Sequence, residues 1–314
     1  MIPREGTRVG GAIRLIEQLG DGAMGSVWVA EHEGLGKRVA LKLVAPELLR
    51  DELALKRFNR EVTLAGQITS KHVARRIGNG VCEDGTPYLV MELLEGETLQ
   101  VHLEHAGRLR LGDVVGLLEQ LANALDEAHG LGIVHRDIKP ANIFLVEEDG
   151  KVVLKVLDFG MAKRTNVMDP SVVTEAGTSV GTPDYMSPEQ LRFAKEVDYR
   201  SDLWALGVLA YRAITGRLPF ASGSFAGLCM TICNGSYTPP SQIDRRLPRS
   251  LDGWFERVFN LDRDERYDSA GETVEALKQA LLQGDAPSWT KVALVAVIAL
   301  VAVSVGAAIA WLGV

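Results

Sequence analysis

A glycine-rich run near the amino end is the first group of residues whose types and spacing suggest chemistry. Gly20, Gly22 and Gly25 precede Val27 in a G-x-G-x-x-G-x-V pattern. A dinucleotide-binding turn uses the same three glycines, but there a helix begins directly after the third one. In this chain residues 26–30 continue instead as an apolar segment typical of a strand. The run therefore predicts a β-hairpin whose backbone N–H groups can approach phosphate oxygens.

Lys42 and Glu61 are a second candidate pair for phosphate chemistry. Lys42 ends the apolar run 39–42, and Glu61 lies within residues 54–67, which are predicted to form a helix. A lone Lys on a strand is more often an edge-strand charge with no further role. If strand and helix face each other across a nucleotide cleft, the carboxylate would hold the ammonium against the α- and β-phosphates. On this pair alone both interpretations stay open.

The elements around these residues change character along the chain. Short apolar runs broken by glycine predict strands joined by turns over residues 13–43, and residues 87–92 predict another strand. Apolar residues at spacings of three and four predict a long amphipathic helix over 114–128, which stops at Gly130. A strand-rich part followed by a helix-rich part predicts an α+β fold of two lobes, with a hinge near residues 92–96.

The second half of the chain contains two short predicted strands, a long loop and a capped helix. The strands cover residues 143–145 and 154–157, and residues 162–183 show no periodicity. A loop of that length in a compact domain usually works as a lid or a switch. Ser269 and Glu272 form a capping box that starts the last helix of this part.

Three further motifs follow the hinge in a fixed order. They are HRDIKPAN at residues 135–142, DFG at 158–160 and SPE at 187–189. Together with the glycine run and the Lys–Glu pair, they resemble the eukaryotic-like (Hanks-type) serine/threonine protein kinases, of the bacterial membrane-anchored type. The resemblance covers about residues 13–282, and Ser-Pro-Glu stands where the family usually has Ala-Pro-Glu.

The resemblance implies a two-lobed protein-kinase fold over residues 11–283, with a β-rich N-lobe (about 11–95) and an α-helical C-lobe (about 96–283). It also implies that ATP donates its γ-phosphoryl group to Ser or Thr hydroxyls of protein substrates, with Mg²⁺ or Mn²⁺ as the metal. Lys139 and Thr182 are similar to the Ser/Thr-specific branch. The alternative is a nucleotide-binding pseudokinase or scaffold. Such proteins usually lack the strand Lys, the catalytic Asp or the metal-binding Asp, and this chain has all three.

The expected site residues follow from the resemblance, position by position. Asp137 would orient the substrate hydroxyl and accept its proton, Lys139 would steady the γ-phosphate, and Asn142 and Asp158 would bind the metal. The nucleotide would contact Leu19, Gly20, Gly22, Gly25, Val27, Ala40, Lys42, Glu61, Glu92 and Leu94. Arg136 would pair with a phosphorylated residue of the activation loop. The candidate autophosphorylation sites are Thr174, Thr178 and Ser179.

Two further matches to the family would be structural. Asp202 resembles the buried Asp that braces the backbone of the catalytic loop, and Arg266 resembles the Arg that pairs with Glu189. Breaking one side of a buried ion pair costs several kcal/mol, so both residues are expected to support folding.

The composition argues against one class of partner and favours one compartment. The net charge is −7 and the pI is near 5.5. Nucleic acid is therefore not expected as the main partner, because phosphate binding requires clustered Lys and Arg. The three cysteines form no C-x-x-C pair, which favours a reducing compartment.

Residues 292–314 carry no charge and are rich in Val, Ala, Leu and Ile. At about 1.5 Å per residue they would reach roughly 34 Å as a helix, enough to cross a bilayer. A buried core helix is the alternative, but such a helix normally shows a polar stripe. Trp289 and Trp311 lie near the two ends, as interfacial aromatic residues do.

We therefore expect a transmembrane helix over 292–313, joined to the kinase domain by a linker over 284–291. Because ATP is intracellular, the domain is expected on the cytoplasmic side of the cell (inner) membrane, with a single pass and Lys291 on the inner side. Gly306 and its small neighbours weakly mark a face for helix pairing, and hence for a homodimer.

Overall fold

The computed structural model describes residues 3–22, 25–45, 66–159, 183–192 and 197–284. The strands are β1 (Arg8–Val9), β2 (Ile13–Gly22), β3 (Gly25–His32), β4 (Lys37–Val44), β5 (Arg76–Val81), β6 (Pro87–Glu92), β7 (Gly96–Thr98), β8 (Ile143–Glu148) and β9 (Lys151–Val156). The helices are α1 (Leu99–Ala106), α2 (Leu111–Gly130), α3 (Pro188–Arg192), α4 (Arg200–Thr215), α5 (Phe225–Cys233), α6 (Pro240–Ile243), α7 (Ser250–Val258) and α8 (Ala270–Gly284). These elements form a sheet-based N-lobe and a mainly helical C-lobe, as predicted.

The N-lobe is an antiparallel six-stranded sheet in the order β1-β2-β3-β4-β6-β5. Leu15, Trp28, Leu41 and Val90, from four of these strands, are all buried in one hydrophobic cluster. Each such side chain stabilises the fold by about 1.5–3 kcal/mol. This cluster holds β3 and β4, the strands that carry Val27 and Lys42.

The glycine-rich run lies in the β2–β3 hairpin, as predicted, with Gly22 opposite Gly25. Gly25 has a φ of 124°, and a Cβ there would lie 1.8 Å from the carbonyl oxygen of Leu43. Only glycine therefore fits at this position without moving β4.

The C-lobe core is built around α2 and α4. The buried residues of α2 include Val114, Leu118, Leu121 and Leu125, which follow the helical spacing of the sequence. Helix α4 is buried on nearly all sides, and its Trp204 stacks on Phe220 with ring centroids 5.2 Å apart. Residues 135–142, which carry the HRDIKPAN motif, and the three-stranded sheet β7-β8-β9 pack against this core through Ile138, Ile143 and Val156.

Several element bounds differ from the sequence-based prediction. Strands β8 and β9 are longer, because Asp149 and Gly150 adopt φ values of 52° and 72° and close a tight hairpin between them. The capping box is present, but the Glu272 carboxylate accepts from the Asp268 N–H (2.8 Å) rather than from that of Ser269. The predicted hinge joins the end of β6 at Glu92 to the start of β7.

A short strap, residues 69–74, ties the N-lobe side of the chain to the C-lobe. The Thr69 N–H and hydroxyl both donate to Glu127 of α2, at 2.6 and 2.8 Å. The Val156 N–H donates to the His72 carbonyl (2.8 Å), and the Ala74 N–H donates to the Val156 carbonyl (2.9 Å). The strap therefore pairs with β9 two residues before Asp158.

Some predictions fall outside the described residues. These are the helix over 54–67, except for a turn at 66–67, the loop over 162–183 up to its last residue, and the span over 292–313. Among the residues that the structure describes, no helix has the length and apolar character needed to cross a membrane.

Candidate active site

Asp137, Lys139 and Asn142 lie together, as the sequence predicts. Lys139 Nζ and Asn142 Nδ2 each lie 2.8 Å from Asp137 Oδ2. Asn142 Nδ2 also donates to the Asp137 carbonyl, at 2.8 Å. These hydrogen bonds hold the Asp137 carboxylate in one position. The side chain is still 35% exposed, so the carboxylate stays accessible from the cleft.

Asp202 of α4 fixes the loop that carries Asp137. Asp202 is buried, and its two carboxylate oxygens accept from the N–H groups of His135 (2.9 Å) and Arg136 (2.8 Å). His129 Nε2 lies 2.8 Å from the same carboxylate. The structure thus confirms the brace expected of Asp202.

Arg136 adopts a left-handed conformation with a φ of 66°. A non-glycine residue persists there only when its surroundings hold it. Here the Asp202 carboxylate holds its N–H, and Gln190 Nε2 donates to its carbonyl at 2.8 Å. The strain is therefore located next to Asp137 and is stabilised by two distant segments.

Lys42 and Asp158 meet across the cleft between the lobes. Lys42 Nζ is 2.7 Å from Asp158 Oδ2, and the Lys42 side chain is 5% exposed. Asp158 also has a left-handed backbone, with a φ of 58°. The Leu157 N–H donates to the Asn142 carbonyl (2.9 Å), which sets Asp158 beside the catalytic loop.

Two of the expected nucleotide-site residues, Val27 and Ala40, lie near Lys42 on the sheet. Val27 is the cross-strand neighbour of Lys42, and Ala40 is opposite Met91. Leu19, on β2, is 53% exposed. The expected contacts of these residues with the nucleotide remain predictions, together with those of the glycines and of Leu94.

Glu92, at the end of β6, is held by a contact that the motifs do not predict. Its carboxylate accepts from the Arg75 N–H at 2.7 Å, and Lys155 Nζ of β9 lies 3.7 Å away. Lys155 is buried and also approaches Glu148, at 3.4 Å. In the sequence, only the position of Lys155 as a charge within the otherwise apolar run 152–157 could have pointed to this contact.

Arg266 and Glu189 form the expected buried ion pair. Arg266 Nη1 and Nη2 lie 2.8 and 2.9 Å from the two carboxylate oxygens of Glu189. Burial would raise the pKa of Glu189, but the hydrogen bonds and charge of Arg266 outweigh it, so the pKa is lowered. The Ser-Pro-Glu segment is thereby fixed to the C-lobe.

Asn142 and Asp158 fit the expected metal ligands in chemistry. The Asn142 amide nitrogen is used by Asp137, so its carbonyl oxygen is the group left for a cation. The described residues contain no group of three or more His, Cys, Asp or Glu side chains that could hold a metal. A cation at this site would therefore need nucleotide oxygens and water to complete its shell.

Five expected site residues lie outside the described residues. They are Glu61, Thr174, Thr178, Ser179 and Thr182. Their roles stay predictions.

A two-lobed fold with these residues at the cleft defines a protein kinase domain. The protein kinase domain family matches residues 13–280. The chain is 38% identical to the serine/threonine-protein kinase Pkn1 of Myxococcus xanthus over 282 residues, which are 90% of this chain and 40% of Pkn1. It is 37% identical to the serine/threonine-protein kinase pkn3 of the same organism over 267 residues, 84% of this chain and 48% of pkn3.

Among solved structures, the kinase domain of PknI from Mycobacterium tuberculosis matches with a TM-score of 0.69 at 25% identity, covering 89% of this chain and all of that domain. The chain belongs to the protein kinase family, and its named relatives are bacterial serine/threonine kinases. It spans less than half the length of the two Myxococcus relatives.

Proposed function

We propose that this protein is an ATP-dependent serine/threonine protein kinase. The observation that carries the proposal is the cluster at Asp137, where one carboxylate oxygen receives both Lys139 and Asn142 at 2.8 Å. Asp158 lies beside this cluster on the C-lobe, and Lys42 reaches Asp158 from the N-lobe side of the cleft. Two cations and two carboxylates around one opening suit a reaction that depends on positioning and charge neutralisation.

In the proposed reaction a protein Ser or Thr hydroxyl attacks the γ-phosphorus of ATP. The new O–P bond forms as the bond to the bridging oxygen breaks, and ADP leaves. Asp137 orients the hydroxyl and accepts its proton, while Lys139 neutralises charge on the transferred group. Lys42 exchanges its contact with Asp158 for the α- and β-phosphates.

Mg²⁺ or Mn²⁺, bound by Asp158 and Asn142, would neutralise charge on the phosphates. Supporting this, both residues offer oxygen ligands of the kind that these hard cations prefer.

The test is transfer of labelled phosphate from ATP to a Ser/Thr peptide library by the purified full chain. Asp137→Asn and Lys42→Met are the inactive comparisons, and Asp113→Asn is the matched control on an exposed turn of α2. We expect transfer with wild type and the control, and a fall of about 10²-fold or more with both site variants. Equally weak transfer by all four proteins would reject the kinase proposal and favour the pseudokinase or scaffold.

We also propose activation by autophosphorylation at Thr174, Thr178 or Ser179. Arg136 Nε is buried and has no hydrogen-bond partner within the described residues. A phosphate on the loop would supply the acceptor and order the segment through a charge-assisted bond. Mass spectrometry of protein made without another kinase should find these phosphates on wild type but not on Asp137→Asn.

The membrane part of the proposal is an anchor over residues 292–313 with the kinase domain on the cytoplasmic side. Its support is the uncharged run 292–314 and the Trp residues at its ends. Flotation of the full chain with neutral lipid vesicles tests it. We expect the chain to float and to resist extraction by high salt and by carbonate, and a chain that stays in solution would reject the anchor.

A further inference from the structure

Six exposed arginines lie on three chain segments that pack together beside helix α8. They lie on the segments 107–113, 216–217 and 244–252, which hold six arginines and three aspartates although the whole chain has a net charge of −7. We call this surface the basic face, and its arginines are Arg108, Arg110, Arg217, Arg245, Arg246 and Arg249. The face is therefore a positive region on a negative protein.

Hydrogen bonds bring the three segments together. The Leu109 N–H donates to the Ala213 carbonyl at 2.8 Å, which places Arg108 and Arg110 beside the end of α4 and Arg217. Arg108 Nη1 lies 2.9 Å from Asp244 Oδ2, so the loop with the last three arginines joins the same surface. The six arginines therefore lie close together in space.

Helix α8 ends within this face. It runs antiparallel to α2, since Asp126 accepts from the Ala270 N–H (2.9 Å) and Glu119 pairs with Lys278 (2.8 Å). Its carboxyl end thus approaches the first turn of α2, beside Arg110. The Ser250 hydroxyl also donates to the Ala280 carbonyl, which places Arg249 next to the same end.

The distance to the proposed membrane span is short. Only residues 285–291 separate α8 from the run that begins at Val292. Seven residues reach at most about 25 Å when fully extended. Any membrane that holds the span must therefore lie close to the basic face, and Leu282, 66% exposed, adds an apolar side chain there.

We propose that the basic face docks on the anionic lipid headgroups of the bilayer and holds the kinase domain in one orientation. This inference rests on the proposed anchor and is independent of catalysis. Each Arg near an anionic surface is expected to favour the docked position about fivefold. Salt should weaken the contact, because exposed charges are screened within about 10 Å at 0.1 M.

The test uses the full chain in lipid nanodiscs of phosphatidylcholine, with or without phosphatidylglycerol. A fluorophore is attached at Gln242→Cys, an exposed position beside the basic face, in a Cys233→Ser background, because Cys82 and Cys229 are buried. A quencher is carried on the lipid headgroups. We expect at least twofold more quenching on anionic discs than on neutral ones, and loss of the difference in 0.5 M NaCl.

The matched variants reverse two charges each. Arg245→Glu with Arg249→Glu leaves the Arg246–Asp244 pair in place and should reduce quenching to the level of neutral discs. Lys37→Glu with Arg38→Glu, exposed on β4 of the N-lobe, should leave quenching unchanged. Binding of a fluorescent ATP analogue checks that each variant is folded.

Two outcomes would overturn the inference and are distinguishable. Equal quenching on both discs, or no effect of the basic-face variant, would overturn docking while the anchor stands, and would leave an acidic protein as the ligand to test. Failure of the chain to enter discs would overturn the anchor and docking together. Neither result bears on phosphate transfer, which is measured separately.

Discussion

The two faces of the cleft are held in different ways. On the C-lobe face, the backbone of the catalytic loop is fixed by Asp202 and Gln190 from two separate helices. On the N-lobe face, Lys42 reaches the cleft from a strand of the sheet and contacts Asp158 through one ion pair of 2.7 Å. The first arrangement fixes backbone groups of the loop, whereas the second joins only two side chains.

This difference separates orientation from nucleotide binding. Asp137 must hold one geometry, and the left-handed Arg136 beside it persists only while its neighbours stay bonded. Lys42 and Asp158 each have another expected partner, the phosphates and the metal. Their ion pair can therefore be exchanged when ATP binds without loss of the surrounding structure.

Asp202→Ala should give the largest effect, because it breaks the C-lobe face itself. It leaves the N–H groups of His135 and Arg136 and the ring of His129 without their acceptor. We expect the free energy of unfolding in urea to fall by about 3–5 kcal/mol, and transfer activity to fall at least about 10²-fold. Asp113→Ala, in an exposed turn, is the control. A loss below about 1 kcal/mol would show that the loop is held by other contacts.

Lys42→Met should affect function more than stability. The Asp158 side chain is 29% exposed, so water can solvate part of the carboxylate that loses Lys42, and we expect the free energy of unfolding to fall by only about 1–2 kcal/mol. Activity should fall about 10²-fold, since a cation that neutralises phosphate charge is lost. A destabilisation similar to that of Asp202→Ala would mean that the two faces are equally structural.

The same contrast explains which parts of the site could be predicted from sequence. HRDIKPAN places Asp137, Lys139 and Asn142 within six residues, so a local motif contains the whole cluster. Gln190 and Lys155 reach the site from distant segments, and a Gln on a helix or a Lys on a strand is ordinary in type. Their roles depend on tertiary packing, which spacing along the chain does not encode.

The element bounds follow a similar rule. The predicted spacing of α2 is present because one face of the helix meets the core continuously. The length of β8 and β9 is decided by the Asp149-Gly150 turn, where the Asp-Gly pair favours a tight hairpin. The Asp-Gly turn thus predicts the inner ends of these two strands better than their apolar runs do, because the runs stop short of the turn.

Lys155→Met should produce a smaller effect than Asp202→Ala or Lys42→Met. Lys155 approaches Glu92 at the hinge, so its loss should loosen the segment that carries the expected nucleotide contacts Glu92 and Leu94. We expect KM for ATP to rise about 3- to 10-fold with kcat within twofold, since ground-state binding is affected. Lys155→Arg should restore KM, and Glu148→Gln is the control that removes only the other carboxylate. Equal losses in kcat would point to a general effect on folding.

The smallest expected effect is a pH dependence of the strap that joins the lobes. His72 is buried, and its Nδ1 lies 3.1 Å from the Leu154 carbonyl. Burial lowers its pKa from 6.5, helped by Lys71 and Lys155 and opposed by the Leu154 hydrogen bond and by Glu148. The folded protein therefore binds this proton less tightly than the unfolded chain does.

The stabilisation that follows is fully present above about pH 6.5 and decreases as the pH falls below it. We expect the free energy of unfolding to drop by no more than about 1 kcal/mol from this residue between pH 7.5 and 5.5. His72→Gln should remove that part of the dependence, while His105→Gln, at an exposed position of α1, should not. If both variants keep the wild-type dependence, the strap is not sensitive to pH.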